Sequence, residues 1–543
     1  MVDVKQLITH CDDLFAKQSN WRHTWQDVSD YVYPVKSNIE TTETPGEVRA
    51  TERYDTTAEE ALLDFAAGLV GWLTPVGESW FRFEPRNKNA SDASKAWFKK
   101  CTERATEALF SSNFYLSWHE GCIDAGAFGT IGMFVEHSPE KLLNFMSWPI
   151  GTYAYCVNAD GDPDYVFRKW KWTARQAVNV WGVDKVTEPI RKAYEEGGAN
   201  AEKEFEFIHS VYNRQKGEYL DGEAAGERRP IASVYIDYTN KKLIEEDGYY
   251  EWPAPVGRLL KSNSENYGRS PAMGVLPEIK MLNRMEMDLL IGLEKMVNPS
   301  WLMPSDSDYE VDNRPDGITY WNATNPNAKP EQLQLNNRID LAEGKTEQKR
   351  ERIRKAFFND MFQMVTQIGM DKATPPTATQ IQAMVEERIA LFTPIFARMI
   401  QEVLNPLLER VFGILFRAGE FPEMPPELLE EGGEYDITYV SRIAMAIKSL
   451  QNGQLMQALE FIRGFMEIDP SARFWLKTSK AGRGALMNLS LPSDWLNTED
   501  EINEMIAQDQ EQQRQAQMME MMKTGAQAAG AMPPELVEQL GKQ

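Results

Sequence analysis

Cysteine is scarce in this chain. Its 543 residues hold four, Cys11, Cys101, Cys122 and Cys156. They are too few and too scattered for a disulfide framework or a thiolate zinc site, and point to a reducing interior. The five histidines (His10, His23, His119, His137 and His209) show no ligand spacing. His119-Glu120 has no second histidine four residues after the first, so a zinc-hydrolase helix is excluded. Long apolar runs are missing as well. The longest, near Phe65 to Leu73, is far short of the roughly 20 residues that span a bilayer, and no membrane partner is expected. The opening MVDVKQLITHCDDLF contains acidic residues and lacks a signal-peptide layout. Positive charge is in deficit too: 58 Lys and Arg stand against 82 Asp and Glu, a net charge of −24. Tight binding to nucleic acid runs on Lys and Arg that displace counterions, so that class is disfavoured. Solubility alone would account for the acidity.

Motifs of catalysis fail one by one. Gly344-Lys345-Thr346 resembles the end of a phosphate loop, but Ile339 stands where the first glycine belongs, and the stretch follows no strand. Asp160-Gly161-Asp162 lacks the remaining spacing of a calcium loop and reads as a tight turn. Gly126, Gly129 and Gly132 are three apart, which is not the dinucleotide fingerprint. No nucleophile elbow is present. Acidic residues are abundant enough for a two-metal nuclease, but no cluster singles itself out. The expectation is no catalytic residue, no metal and no cofactor.

A hydrophobic fraction of 42% and the length allow two to four domains with ample core. Trp21, Trp25, Val28 and Val32 recur at helical spacing within a helix expected over 2–33 and ended by Pro34. Residues 37–52 read as a polar loop. A helix over 56–73 carries Gly68 and Gly71, which suggest close packing, and a strand follows at Trp80 to Phe83. Helices are expected at 92–112 and 115–127. From Gly129 to Lys261 the apolar period drops to two. Strands are expected over 131–135, 153–157, 165–170, 205–212, 232–238 and 242–246, with a short helix from Thr173 to Trp181. The fold class is α+β, mainly helical, with an antiparallel sheet.

The second half is organised around two long helices. The first runs from about Ala272 to Val297, with Ser270 as cap, Pro271 at its first position, and Leu282, Met285, Leu289 and Leu293 on its apolar stripe. The second is expected over 339–369, with Ile353, Phe357 and Met361 on its stripe. Their lengths would be roughly 39 and 46 Å. About forty residues rich in Pro, Asn and Asp separate them, which is far more than a helical hairpin needs and implies a small module held away from the body. Gly369 to Pro376 cannot continue a helix. A long helix then runs over 377–418, with kinks expected at Pro394 and Pro406, followed by a strand at Tyr435 to Val440 and a helix over 442–467. Residues 499–530 are rich in Gln, Met and Ala and read as helical, then frayed.

Short motifs spread over roughly 450 residues carry a resemblance. They are Trp25 to Pro34, Tyr54-Asp55-Thr56-Thr57-Ala58, Ala67 to Pro75, Trp80-Phe81, Ser112-Asn113-Phe114 and Gly126-Ala127-Phe128-Gly129-Thr130. Later come Tyr267-Gly268-Arg269-Ser270-Pro271, Leu282-Asn283, Asn298-Pro299, Thr377-Ala378-Thr379-Gln380 with Glu386 and Glu387, and Tyr439-Val440-Ser441 with Ala444. In order and spacing the chain resembles the portal, or head-to-tail connecting, proteins of T7-like short-tailed bacteriophages. The resemblance departs mainly at the Met/Gln-rich tail. It implies a wing over 1–269, a stem of 270–297 and 339–369, and a clip over 298–338. A tunnel loop over 370–376, a return into the wing over 377–440, and a crown with tail over 441–543 complete the portal fold.

The function implied is a homo-oligomeric ring, usually a dodecamer, at one capsid vertex of the virion, assembled in the host cytoplasm. Double-stranded DNA would pass through it without sequence specificity during packaging and ejection. The partners implied are terminase, a tail adaptor, and the major capsid and scaffolding proteins. Asp371, Lys372 and Thr374 would face the DNA channel, and Trp301, Ile318, Tyr320 and Trp321 would form a clip sheet shared between neighbours. A tail-tube or ejected internal protein, and a metal-dependent nuclease, are the competing readings.

Overall fold

The computed structural model describes residues 3–362, apart from 37, 41–45, 47–52, 78, 88–89, 139, 221–224, 263–264, 304, 306–309, 315, 322–323, 325–328 and 334–338. It also describes 392–430, 433–440 and the isolated residues 462, 505 and 514. The chain divides into Met1–Ala446 and Ile447–Gln543, and the fold below belongs to the first unit. Apart from those three residues, the segments expected as helix over 442–467 and 499–530 lie outside the described residues.

Asp3 starts helix α1 (Val4–Lys17) by accepting the amides of Lys5 and Gln6. The single helix expected over 2–33 is two, because α1 gives way to α2 (Ser19–Tyr31) at Gln18. Gln18 is fully buried, and its side-chain amide donates to the Tyr153 carbonyl at 2.7 Å and to the Tyr267 hydroxyl. A buried amide must be paired, and pairing this one fixes the bend. α3 (Thr57–Leu73), α4 (Asp92–Ser111) and α5 (Phe114–Phe128) match expectation to within a residue or two. The close approach of α3 and α5 is not made at Gly71, around which a Cβ would meet nothing within 4 Å. It is made from the other side, at Gly126, where a Cβ would stand 2.6 Å from Leu62.

The period-two region forms two antiparallel sheets. β2 (Thr130–Ser138), β3 (Leu142–Trp148) and β9 (Val256–Arg258) make the smaller, in the order β3-β2-β9. β4 (Tyr153–Val157), β5 (Pro163–Thr173), β6 (Glu204–Asn213), β7 (Ile231–Asp237) and β8 (Lys242–Tyr249) make the larger, in sequence order. One face of the larger sheet buries Phe167, Ile208 and Val234 against Leu7, Ile8, Cys11 and Leu14 of α1. The other takes α6 (Ala174–Trp181), held by a Thr173–Gln176 capping box, and α7 (Glu188–Glu196) over Phe205 and Phe207. The turn at 158–162 is closed by the Asn158 side chain, which accepts the amides of Asp160 and Asp162, with Gly161 at φ +94°. β1 (Phe81–Pro85) pairs with β12 (Tyr435–Tyr439), joining segments more than 350 residues apart.

α8 (Pro271–Val297) forms as expected, with the Ser270 hydroxyl accepting the Met273 amide. α9 (Ile339–Ala356) is shorter than the helix expected over 339–369. It stops where Phe358 adopts φ +59° and turns its ring onto Phe65 of α3 and Phe392, and a four-residue helix, α10 (Asn359–Phe362), follows. Aromatic packing against α3 outweighs helix continuity there. Later, residues 392–399 are helical, Ile400–Leu404 form a π turn, and α11 runs over Asn405–Arg417. Pro406 has no N–H for the carbonyl of Glu402, and the looser π turn absorbs that loss.

Candidate functional site at the root of the long helices

Motifs far apart in the sequence meet where α8 and α9 leave the body. Helix α5 ends at Gly129, whose φ of +77° is a left-handed cap that favours glycine. The peptide of Gly268 presses on it: a Cβ at Gly268 would lie 2.0 Å from the Gly129 carbonyl oxygen, and a Cβ at Gly129 would lie 2.4 Å from that of Gly268. Hydrogen bonds surround this contact. The Gly268 amide donates to the Thr130 hydroxyl at 2.9 Å, the Leu259 amide to the Gly129 carbonyl at 2.9 Å, and the Ser270 hydroxyl to the Ala127 carbonyl at 2.7 Å. Ser270 thereby caps α8 and ties its first turn to α5. Tyr267 is buried among Trp21, Trp25 and Tyr155, and Arg269 lies over the Trp21 ring at 4.5 Å. The segments 126–130 and 267–271 are therefore two halves of one joint.

The next motifs brace the helices further out. Asp27 of α2 pairs with Lys280 of α8 at 2.9 Å. The Tyr54 amide donates to the Asn283 side chain at 2.6 Å. Arg350 of α9 reaches Asp55 at 2.9 Å and Glu286 of α8 at 2.6 Å, linking the body to both long helices. Trp80 stacks on Tyr439, whose hydroxyl donates to Asn405 at 2.6 Å.

One buried pair was not foreseen. Arg258, at the end of β9, is 3% exposed and makes a fork on Glu402 of the π turn at 2.8 and 3.1 Å, while its own amide also donates to Glu402 at 2.8 Å. Nothing in the sequence around either residue marks them, since they are 144 residues apart. Asp124 of α5 is similarly enclosed, paired to Lys36 through one oxygen, and burial pushes its carboxyl above the usual range despite that lysine.

The expected stem residues divide by position. Leu282, Ile353, Phe357 and Met361 are buried near the body. Met285 and Leu289 are half-buried, and Leu293 is 43% exposed. Beyond them Leu290, Met296 and Val297 also stand in solvent on the single chain, Val297 at 86%. In the insert, β10 (Trp301–Leu302) pairs with β11 (Glu331–Gln332) within one chain. Trp301 belongs to this small ladder. Ile318, Tyr320 and Trp321 lie in no strand among the described residues and are exposed, Tyr320 at 80%. Asp371, Lys372 and Thr374 lie outside the described residues. Among the described residues no group of three or more His, Cys, Asp or Glu side chains is placed to hold a metal ion, and no helix is long and apolar enough to cross a membrane.

The family model described as bacteriophage head to tail connecting protein matches residues 4–496. The portal protein of Salmonella phage epsilon15 is 28% identical over 538 residues, covering 97% of this chain and 94% of that protein. The probable portal protein of Bordetella phage BPP-1 is 26% identical over 461 residues, covering 82% and 80%. Connectors of this kind are virion components where head meets tail, and these relatives are structural proteins. The chain belongs to the bacteriophage head to tail connecting protein family and has its portal function.

Proposed function

We propose that copies of this chain close into a ring, twelve being the family expectation, at one capsid vertex. The ring is the non-enzymatic conduit through which double-stranded DNA enters during packaging and leaves on ejection. The observation that carries this reading is the apolar outer part of α8. Leu290, Leu293, Met296 and Val297 stand 43–86% exposed on a helix anchored to the body by Ser270, Asn283 and Glu286. Among the described residues nothing covers them, and a heterologous contact that closes on itself would cover them in every copy. The exposed Ile318, Tyr320 and Trp321 make the clip the surface for terminase and then the tail adaptor. The loop with Asp371, Lys372 and Thr374 faces the channel, where one lysine per copy touches phosphate without reading bases. Capsid and scaffolding proteins are the partners of the wing.

Native mass spectrometry and electron microscopy of the purified chain test this. Closed rings are expected, and Leu290→Glu with Leu293→Glu should yield folded single chains with unchanged far-UV circular dichroism. A wild-type monomer, or rings of normal yield from the double variant, would overturn the assignment.

A further inference from the structure

A cavity of about 530 Å³ lies between the larger sheet, the β2–β3 hairpin and α11. Its rim is exposed at His137, Val180 and Ala418. Arg168 stands inside it. On β5 it points away from the α1 side, in a cross-strand row with Tyr153, His209, Tyr235 and Glu245. Its guanidinium lies over Trp148 at 5.3 Å and over Trp170 at 5.4 Å. Those rings offer π faces and no oxygen or nitrogen acceptor for its five N–H donors. Among the described residues the Arg168 side chain makes no hydrogen bond or ion pair, and its Nε is buried without an acceptor.

The other cations around the cavity each have a carboxylate partner. Arg410 and Arg417 share Glu251 at 2.6–3.0 Å. Arg229 faces Asp247 at 3.5 Å, and Glu245 takes Lys185 at 2.6 Å. Burial pushes the Glu136 carboxyl up, against the pull of Arg410, and burial beside Arg168 holds His209 down at about 3, so His209 is neutral. A guanidinium does not shed its charge, and an enclosed one calls for an anion in its plane. Arg168 is the guanidinium here with no carboxylate partner among the described residues, and a single carboxylate would supply one. A phosphate dianion would bring a second negative charge, facing Glu136, Glu245 and Asp247. The walls around Arg168 (Trp148, Trp170, Trp172, Trp181 and Tyr249) suit a ring.

We propose that this cavity binds a monocarboxylate attached to an aromatic group, with the carboxylate on the in-plane donors of Arg168 and the ring among the tryptophans. Two sources share this chemistry: a free aromatic acid, or an acidic residue beside an aromatic one in a peptide segment of a partner protein.

Calorimetry on the full-length chain tests it with 3-phenylpropionate, its neutral amide, phenyl phosphate, and the peptides acetyl-Phe-Asp-Phe-amide and acetyl-Phe-Asn-Phe-amide. At least one carboxylate probe should bind tenfold or more tightly than its amide partner and more tightly than phenyl phosphate. Arg168→Met should remove that preference, and Arg168→Lys should keep part of it. Binding of 3-phenylpropionate identifies a free acid as the source, and binding of the Asp peptide alone identifies a protein segment. Because Arg168→Met also removes an unmatched, half-buried charge, the ligand-free variant should melt no lower than wild type. Equal binding of acid and amide, a preference for phenyl phosphate, a preference that survives Arg168→Met, or no binding of any carboxylate together with a lowered melting point for Arg168→Met overturns the proposal.

Discussion

Alanine at Gly268 gives a sharp test of the joint. The added Cβ would sit 2.0 Å from the Gly129 carbonyl oxygen and 3.0 Å from its carbon, against 3.4–4 Å for an ordinary contact. Both obstacles are backbone, so no side chain can swing away. The two chains must part, and the bonds that hold them (Gly268 to Thr130, Leu259 to Gly129, Ser270 to Ala127) stretch or break. A buried donor or acceptor left unmade costs about 1–3 kcal/mol. Losing one or two of them puts Gly268→Ala at about 3 kcal/mol or more. Gly129→Ala meets the same clash, and its left-handed backbone adds roughly 1–2 kcal/mol. Gly274 supplies the opposite sign. It lies in the first turns of α8, a Cβ there meets nothing within 4 Å, and alanine should stabilise by about 0.8–1 kcal/mol through helix propensity. Urea unfolding of the unassembled chain, followed by tryptophan fluorescence, reads all three. If Gly268→Ala falls within 0.5 kcal/mol of wild type, or if Gly274→Ala is as damaging, the joint does not hold α8 as argued.

The Arg258–Glu402 pair should behave as an enclosed ion pair. Glu402→Met or Arg258→Met alone should each cost about 3–5 kcal/mol, and the two together well under their sum, as a double-mutant cycle in urea would show; simple additivity would mean the two do not act as a pair. His209 sets a pH dependence. Its folded pKa of about 3 lies below its ordinary 6.5, so the unfolded chain takes the proton first and stability falls as pH drops below about 6.5. At pH 5 that loss is about 2 kcal/mol, and it is absent above pH 7.5. The raised carboxyls of Asp124 and Glu136 act in the other direction but are common to wild type and His209→Gln, so they cancel in the difference. The stability gap between wild type and His209→Gln should therefore shift by about 2 kcal/mol between pH 7.5 and 5, and a constant gap would show that His209 is not held neutral.

What could be read in the sequence followed the range of the interaction that decides it. Helices α3, α4, α5 and α8 are set by local period and caps, and were legible nearly to the residue. α7 was not, because its only buried residue is Ile190 and a single anchor makes no stripe. β3 was missed although Ser138-Pro139 is a turn signal, because it begins at Leu142 with φ +63° and its buried Leu143, Phe145 and Trp148 do not keep a period of two. The breaks at Gln18 and Phe358 answer to partners 135 or more residues away, Tyr153 in one case and Phe65 in the other. The motifs 126–130 and 267–271 were each visible, but their meeting depends on a register between distant segments, which no local pattern encodes.

The same limit separates what a stripe says from who covers it. Leu282 and Leu293 occupy equivalent steps of one helical period, yet one is 1% exposed and the other 43%. Periodicity reports that a face is apolar, and only the position of the body reports which part of that face is already covered. Leu282 is covered because Ser270, Asn283 and Glu286 pin this end of α8 to α5, Tyr54 and Arg350. Leu293 lies past the last of these ties, and none of them covers it. Arg168 poses the converse problem. Arg168, Trp170 and Trp172 alternate along β5, which says that they share a face and nothing about charge. Only when Glu251 is found serving Arg410 and Arg417, Asp247 serving Arg229 and Lys185 serving Glu245 does Arg168 emerge as the cation of this cavity without a carboxylate among the described residues. An unmatched apolar stripe and an unmatched cation are both residues of a balance, and each becomes visible only once the partners within the chain have been assigned.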